Sequence, residues 1–560
     1  MIFSNMMLSR FGRTVTTAST SATFSRLNRS LSGITTSFNL PDPQLQKGDN
    51  VALTKIVATI GPTSEQMPAL QYVVDQGMSI MRLNFSHATT EEVELRTTNL
   101  ASCTGRHSSL TEPKTNNMRA ILLDTKGPEI RSGKLKNDDS GHETILLEEG
   151  KSIILDTSDA RRDEGGTVES LYIDYQGLVQ ALEVGSKVLL DDGAVVLTVT
   201  GFDGDNKVTC TIDNSGDLRS RAGVNLPGAN TSDLPAMSDK DKVDIKYGMT
   251  KDIDYVAASF VQNAQGVEEI RSHLQKCKDE LGDDVWPTDQ PLPLIISKIE
   301  SLSGLSNFDA ILAASDGIMV ARGDLGVEVP LVQVGNAQKE MVAACRAVGK
   351  PVIVATQMLE SMAKQSPRPT RAEVTDVTNA VYDGADCVML SGETAKGKYP
   401  SQSVQTMNNI VKSAEQYYAS QQNDNTSSNS IIPSPTAFMA TISRDNASDM
   451  AIAKAAVTAV ETHPDAKAIL VLSDKLTTIP ALCSSFRPTS APILVSVSSS
   501  KLARQLVLYR GIYPIHSDII SEEDALNDAK TMGLVQEGDV VVVVTDTTDH
   551  NAALQFATVV

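Results

Sequence analysis

Ile295-Ile296-Ser297-Lys298-Ile299-Glu300 and, further along, Met319-Val320-Ala321-Arg322-Gly323-Asp324-Leu325-Gly326 decide how this chain is read. Each begins as a short apolar run without polar alternation, the pattern of a strand buried on both faces, and each ends in charged residues. That combination is what the C-terminal mouth of a parallel barrel presents. Lys298 and Glu300 are two apart, so on a strand both point to the same face. Asp324 follows the second strand, beside a glycine, and is expected to bring its carboxylate toward that of Glu300 across the mouth. Two carboxylates beside a lysine suit a divalent metal that carries an anion. The plain alternative is a strand-end salt bridge. Gly323 and Gly326 on either side of Asp324 weigh against it, because they free backbone N–H groups for an oxyanion.

The 560 residues exceed a single core, so about three domains are expected. A net charge of −20 and a pI near 4.8 disfavour nucleic acid or an anionic membrane surface as partner. No apolar run reaches the length of a membrane span. The six cysteines lie far apart and none forms a C-x-x-C pair, so they read as reduced core thiols. The seven histidines are scattered and give a His-based triad or zinc mechanism nothing to start from.

Taken in order, residues 1–44 carry Arg10, Arg13, Arg26 and Arg29 among many Ser and Thr, with no acidic residue before Asp42. This is the composition of a transit peptide, mitochondrial rather than plastid; a retained tail on a cytoplasmic protein is the alternative. From Lys55 short apolar runs alternate with amphipathic stretches in the manner of βα units. Strands are expected at 55–59, 79–83, 120–123, 255–259, 294–299, 317–321, 351–355 and 387–390, the number that closes a TIM barrel. Helical patterns fall between them, as at 332–348 and 372–382.

Between the third and fourth strands the rhythm gives way to alternating, Gly-punctuated segments. This predicts an inserted all-β domain over 127–229, with Gly127-Pro128 and Pro227-Gly228 as hinges. Because it leaves after a strand's C-terminal end, it lies over the active face as a lid. The barrel therefore comprises 45–126 and 230–418. A polar stretch without periodicity at 419–436 reads as a linker, and 437–560 as a smaller α/β domain.

Leu83-Asn84-Phe85-Ser86-His87 and Leu123-Asp124-Thr125-Lys126-Gly127-Pro128-Glu129-Ile130-Arg131 are, by themselves, polar loop starts. Asn84, Ser86, Asp124 and Thr125 offer hard oxygen donors at modest charge, which suits a monovalent cation. Pro369-Thr370-Arg371-Ala372-Glu373 reads as a capped helix start, with Thr370 as N-cap and Glu373 at the capping-box position. Thr356, at the end of the seventh strand, lies on the active face.

With these motifs in this order, the sequence from Lys55 to the C-terminus resembles pyruvate kinase. The resemblance implies a barrel, a mobile β lid and a C-terminal effector domain, assembled as a homotetramer. It implies phosphoryl transfer from phosphoenolpyruvate to ADP, giving ATP, and then protonation of the enolate to pyruvate. In that reading Glu300 and Asp324 bind Mg²⁺ or Mn²⁺, and a second divalent ion arrives with the nucleotide. Asn84, Ser86, Asp124 and Thr125 hold K⁺, accompanied by Glu129. Lys298 and Arg82 counter charge on the transferring phosphoryl, Arg82 and Arg131 meet the nucleotide, and the backbone of Gly323 and Asp324 holds the substrate carboxylate. Thr356 serves the proton step directly or through water, with Ser391 and Glu393 as a relay behind it.

Two other readings compete. One is an aldolase-type barrel enzyme on pyruvate or its enol, which needs no nucleotide; the other is a non-catalytic regulatory paralogue. The chain also departs from the fructose 1,6-bisphosphate-activated members. Ser473-Asp474-Lys475-Leu476-Thr477-Thr478 keeps hydroxyls but lacks a glycine, and Thr545-Asp546-Thr547-Thr548-Asp549-His550 brings acids. Fructose 1,6-bisphosphate is thus expected to activate weakly or not at all. A monophosphorylated effector on Ser473, Lys475, Thr477 and Thr478 remains open beside a domain kept for assembly.

Overall fold

A computed structural model describes residues 52–104, 118–138, 143–191, 193–229, 231, 233–364, 366–423, 447–472, 478–488, 491–546 and 552–560. The expected leader lies outside them, as does the expected linker from residue 424 to 436.

Eight parallel strands close a barrel: β1 (Lys55–Thr59), β2 (Ile80–Asn84), β3 (Ala120–Asp124), β4 (Tyr255–Ala258), β5 (Leu294–Ile299), β6 (Gly317–Ala321), β7 (Val352–Ala355) and β8 (Cys387–Leu390). Each lies beside its neighbours in sequence, and β1 pairs with β8 from Lys55↔Cys387 to Ala58↔Leu390 to complete the ring. All eight are where the apolar runs placed them, with ends displaced by one residue at β2, β3, β4 and β7.

Alternation along the strands gathers Val57, Ile80, Leu122, Ala257, Ile296, Met319, Ile353 and Met389 into one interior cluster. One pleat further toward the C-terminal end, the same faces carry Thr59, Arg82, Asp124, Ser259, Lys298, Ala321, Ala355 and Ser391. Register alone thus turns a packed apolar barrel into a polar mouth. The opposite strand faces, such as Leu83, Val256, Ile299 and Val354, pack with Val342 and Val377 of the surrounding helices. One of these helices, Arg371–Asp383, begins with the expected capping box of Thr370 and Glu373.

The insertion after β3 forms a six-stranded sheet in the order 224–225, 187–190, 195–203, 207–212, 152–156, 170–172, with a two-stranded ladder of 144–147 and 216–219. Alternate residues Val208, Cys210 and Ile212 point into its core with Leu155, Leu190 and Leu197. It is not wholly β: Asp159–Glu164 and Leu178–Ala181 are short helices, the first opened by a Ser158 cap. Near its two ends the segment closes on itself in a bridge between Arg131 and Gly223. Gly127 takes a φ of 77°, and a Cβ there would lie 2.7 Å from that of Ser259, so glycine is required both by conformation and by space.

The helix Pro400–Asn423 runs through the start of the expected linker. Its final Ala419-Ser420-Gln421-Gln422-Asn423 contains no glycine or proline to stop it, and polarity by itself does not end a helix. The C-terminal domain is a five-stranded sheet ordered 512–516, 493–497, 466–472, 540–546, 552–558, with the last strand antiparallel. Its two outer strands escape sequence reading for different reasons. Ile512–His516 contains Pro514, which is tolerated because the strand is an edge, and Ala552–Thr558 is too exposed to show an apolar face.

The helix Ser500–Leu506 of this domain sits against the barrel floor. The Tyr255 hydroxyl donates to the carbonyls of Arg504 (2.8 Å) and Gln505 (2.9 Å). Lys501 and Arg504 both pair with buried Asp254, at 3.1 and 2.9 Å.

Candidate active site

Lys298 projects from β5 into the mouth and is 9% exposed. Its Nζ lies 3.0 Å from Asp124 Oδ1 and 3.0 Å from Glu300 Oε1, and donates to Ser259 Oγ at 2.7 Å. The other oxygen of Asp124 accepts from Arg82 Nε at 2.7 Å, while Arg82 also donates to Thr59 Oγ1 at 2.8 Å. Asp124 is thereby held between two cations. Burial alone would raise its carboxyl, but Arg82 and Lys298 hold it below the usual range. Burial likewise opposes the charge on Lys298, and Asp124 followed by Glu300 more than offsets it, so the ammonium is held well above its ordinary pKa.

Glu300 behaves differently. Its Oε2 accepts from the Phe260 N–H at 2.6 Å, yet burial, aided by the charge of Asp324 and opposed by Lys298, pushes its carboxyl up to about 7. The two ends of the Lys298–Glu300 pair thus point in opposite directions: one favours its charge, the other resists it. Asp124 is the larger contributor to the lysine, so Glu300 is the less well compensated of the two carboxylates and also feels the charge of Asp324. Three carboxylates, Asp124, Glu300 and Asp324, stand against Arg82 and Lys298. A divalent cation between Glu300 and Asp324 is what such a donor set fits. Among the described residues no group of three or more His, Cys, Asp or Glu side chains forms a metal cage. An ion held by two carboxylates keeps coordination positions open for substrate oxygens.

Asp324 lies in the first turn of the helix Arg322–Glu328, which starts directly after β6. Gly323 is pressed against β7's end: a Cβ there would stand 2.9 Å from Thr356 Cγ2 and 3.7 Å from its Oγ1. Thr356 has a φ of 75° and Gln357 one of 56°. Two successive non-glycine residues in the left-handed region, the first β-branched, hold strain of about 1–3 kcal/mol each. Arg322 spans this turn: its Nε donates to the Ala355 carbonyl (3.1 Å) and a terminal nitrogen to the Thr356 carbonyl (2.7 Å).

Asn84 and Asp124 are register partners at the ends of β2 and β3, and the Phe85 N–H donates to the Asp124 carbonyl at 3.0 Å. Asn84 Oδ1 accepts from the Ser86 N–H (3.1 Å), and the Thr125 carbonyl accepts from Ser259 Oγ (2.7 Å). The four residues expected to hold a monovalent cation are therefore neighbours. Glu129 pairs with Arg131, whose guanidinium also donates to the Arg221 carbonyl (2.9 Å) at the root of the lid.

Ser391 and Glu393 do not reach Thr356 by any hydrogen bond among the described residues. Glu393 is fully buried and accepts from the N–H groups of Leu359 (3.0 Å) and Ser391 (2.8 Å), tying the loops after β7 and β8. Its carboxylate thus clamps the two loops from which the relay was expected to act. Ser473, Lys475 and Thr477 fall outside the described residues, as does the side chain of Thr478. Ser259, Thr59 and Arg322 took no role in the sequence reading. Ser259 was legible as the polar last residue of an expected strand, and Arg322 stood in the quoted motif.

A buried lysine, an arginine and the carboxylates of Asp124, Glu300 and Asp324, gathered at the mouth of a lidded (β/α)₈ barrel, are the site of an enzyme for an anionic substrate. The family model described as "Pyruvate kinase, barrel domain" matches residues 51–404, and "Pyruvate kinase, alpha/beta domain" matches 450–555. A pyruvate kinase of Dictyostelium discoideum is 41% identical over 502 residues, covering 88% of this chain and 90% of the relative. One of Leishmania mexicana is 39% identical over 506 residues, covering 88% and 93%. The crystal structure of a pyruvate kinase from Cryptosporidium parvum superposes with a TM-score of 0.78 at 34% identity, covering 93% of this chain and 98% of that one. The chain belongs to the pyruvate kinase family. It is a phosphotransferase of glycolysis acting on phosphoenolpyruvate and ADP, and the family is metal-dependent.

Proposed function

We propose that the mouth performs this transfer with Glu300 and Asp324 holding one Mg²⁺ or Mn²⁺, and Asn84, Ser86, Asp124 and Thr125 holding K⁺. The observation that carries the reading is the buried carboxylate of Glu300, pushed up to about 7 by burial and by the charge of Asp324 despite Lys298 beside it. Bound there, the divalent ion supplies Lewis-acid stabilisation to the substrate's oxygens. Lys298 and Arg82, fixed through Asp124, direct positive charge at the phosphoryl group as the bridging P–O bond breaks and a terminal ADP oxygen bonds to phosphorus. Backbone N–H groups of Gly323 and Asp324 orient the carboxylate. Arg131, at the lid root, meets the nucleotide as the lid closes and excludes water. Thr356, itself or through a water, delivers a proton to the enolate carbon.

Assembly as a homotetramer is part of this reading, checked by sedimentation or light scattering of the purified chain. The basic, hydroxyl-rich leader supports import into the mitochondrion, which N-terminal sequencing of the protein isolated from fractionated cells checks. The catalytic reading is tested by pyruvate release with and without ADP, Mg²⁺, Mn²⁺ and K⁺. Release that requires ADP and a divalent ion is expected. Release without nucleotide, or none under any condition, overturns it.

A further inference from the structure

We propose that Arg322 is a positioning residue for the proton step: its guanidinium holds the left-handed turn that sets Thr356 at the barrel mouth. The inference rests on the reading of Thr356 given above.

The turn needs an external hold. Left-handed conformations at Thr356 and Gln357 persist only where the surroundings over-determine them. Among the described residues, the hydrogen bond to the Thr356 carbonyl comes from Arg322 alone, and the same guanidinium takes the preceding carbonyl of Ala355. Its remaining donors are also committed. One terminal nitrogen donates to Asp376 Oδ1 at 2.7 Å and Gln338 Oε1 at 3.3 Å; the other, besides Thr356, lies 2.8 Å from Met358 Sδ.

Gln338 is itself fixed, donating to Asp383 Oδ2 at 2.9 Å. Asp376 and Asp383 belong to the same helix, Arg371–Asp383, so the fork is anchored twice on one rigid element. With its donors spent on protein, Arg322 has none directed to substrate, which makes it a positioning group and not a catalytic one. A lysine could not replace it, since a single ammonium cannot bridge two successive carbonyls and a carboxylate in one plane. Arg322 also opens the helix that carries Gly323 and Asp324. One side chain therefore relates the substrate-carboxylate segment to the residue at the protonation face.

The test uses the full chain with Mg²⁺ and K⁺ and follows hydrogen–deuterium exchange at the methyl carbon of pyruvate by NMR, alongside steady-state kinetics and thermal melting. Variants are Arg322→Met, Arg322→Lys, Asp376→Asn and, as reference, Thr356→Val. The expected result is a fall of about tenfold to a hundredfold in exchange and in kcat for both Arg322 variants, with the KM for phosphoenolpyruvate within about twofold of wild type. Asp376→Asn, which keeps the side-chain shape, shows a smaller loss in the same two quantities and serves where Arg322→Met does not fold. Exchange retained in the folded Arg322 variants, or in Asp376→Asn where those do not fold, but lost in Thr356→Val overturns the role of Arg322 alone. Exchange retained in Thr356→Val overturns the reading of Thr356 and this inference with it. A rise in KM with kcat unchanged also overturns the inference, because it places Arg322 in substrate binding.

Discussion

The ammonium of Lys298 stands 3.0 Å from Asp124 Oδ1 although the two residues are on β5 and β3, with β4 between them. The lysine spans β4 by resting on Ser259, and its charge is fixed before substrate arrives. Replacing Lys298 by Met is expected to lower kcat by several powers of ten, on the order of 5 kcal/mol, with little change in the KM for phosphoenolpyruvate, because the charge acts mostly on the transition state. Steady-state kinetics checks this, and turnover above a tenth of wild type would remove Lys298 from the mechanism. Asp124→Asn leaves Arg82 and Lys298 buried without their shared anion, and is expected to cost about 3–5 kcal/mol of stability as well as activity, read by urea unfolding.

Activity is expected to require K⁺, and Glu129→Lys to lessen that requirement, the new ammonium standing in for the ion. The structure adds a second effect. Glu129 is the partner of Arg131, so the same change places two cations together at the lid root and should raise the KM for ADP severalfold. Titrating K⁺ and ADP separately distinguishes the two; full wild-type activity without K⁺ or NH₄⁺ would show a vestigial site.

Gly323→Ala adds a methyl group 2.9 Å from Thr356 Cγ2, and Thr356 has no freedom to retreat while its carbonyl is held. The expected outcome is a fall in kcat of about tenfold to a hundredfold together with a loss of about 1–3 kcal/mol of stability from the overpacked contact. Wild-type turnover in this variant would mean that the β6 and β7 loops separate more easily than their packing implies.

Lys55 gives a prediction in pH. It is buried at the barrel floor, 3.6 Å from the centroid of the Tyr513 ring, facing Cys387, Glu415 and Arg510. Burial lowers its pKa to about 7, against the pull of Cys387 and Glu415 and with the push of Arg510. Between pH 7 and its ordinary value of 10.5 the unfolded chain binds a proton that the folded chain does not, so this group's contribution to stability rises with pH across that window. Below pH 7 the ammonium is charged in both states and the full cost of burying it is present. Lys55→Met should therefore be more stable than wild type at pH 6–7 by a few kcal/mol, with the advantage shrinking toward pH 10. Denaturant melts of both proteins across this range check it; a pH-independent difference would show that burial does not lower the Lys55 pKa as described.

The barrel was legible because strands buried on both faces leave uninterrupted apolar runs, as at Ile295-Ile296 and Val352-Ile353-Val354. The site residues were legible as polar ends to those runs. What could not be read was closure. That Asp124 meets Lys298 depends on how eight strands tilt into a ring, and nothing local to either residue encodes it. The conformation of Thr356 was hidden because threonine disfavours it, and the hold from Arg322 and Asp376 crosses 54 residues of sequence. Glu393 read as part of a relay behind Thr356 because sequence gives residue type and not partners; its bond from the Leu359 N–H appears only when the β7 and β8 loops lie side by side. Pro514 hid an edge strand, since its lost N–H matters only for strands with neighbours on both sides.

The strand β4 is anchored at both ends. At the floor, Tyr255 is bound to the helix Ser500–Leu506; at the mouth, one residue past the strand, Ser259 carries Lys298. From Tyr255 to Ser259 is about 13 Å of extended chain that neither stretches nor buckles inside a packed core. It acts as a strut that joins the helix of the C-terminal domain to the residue that carries the lysine. The C-terminal domain thus lies one strand and one turn residue away from the reacting end of the barrel.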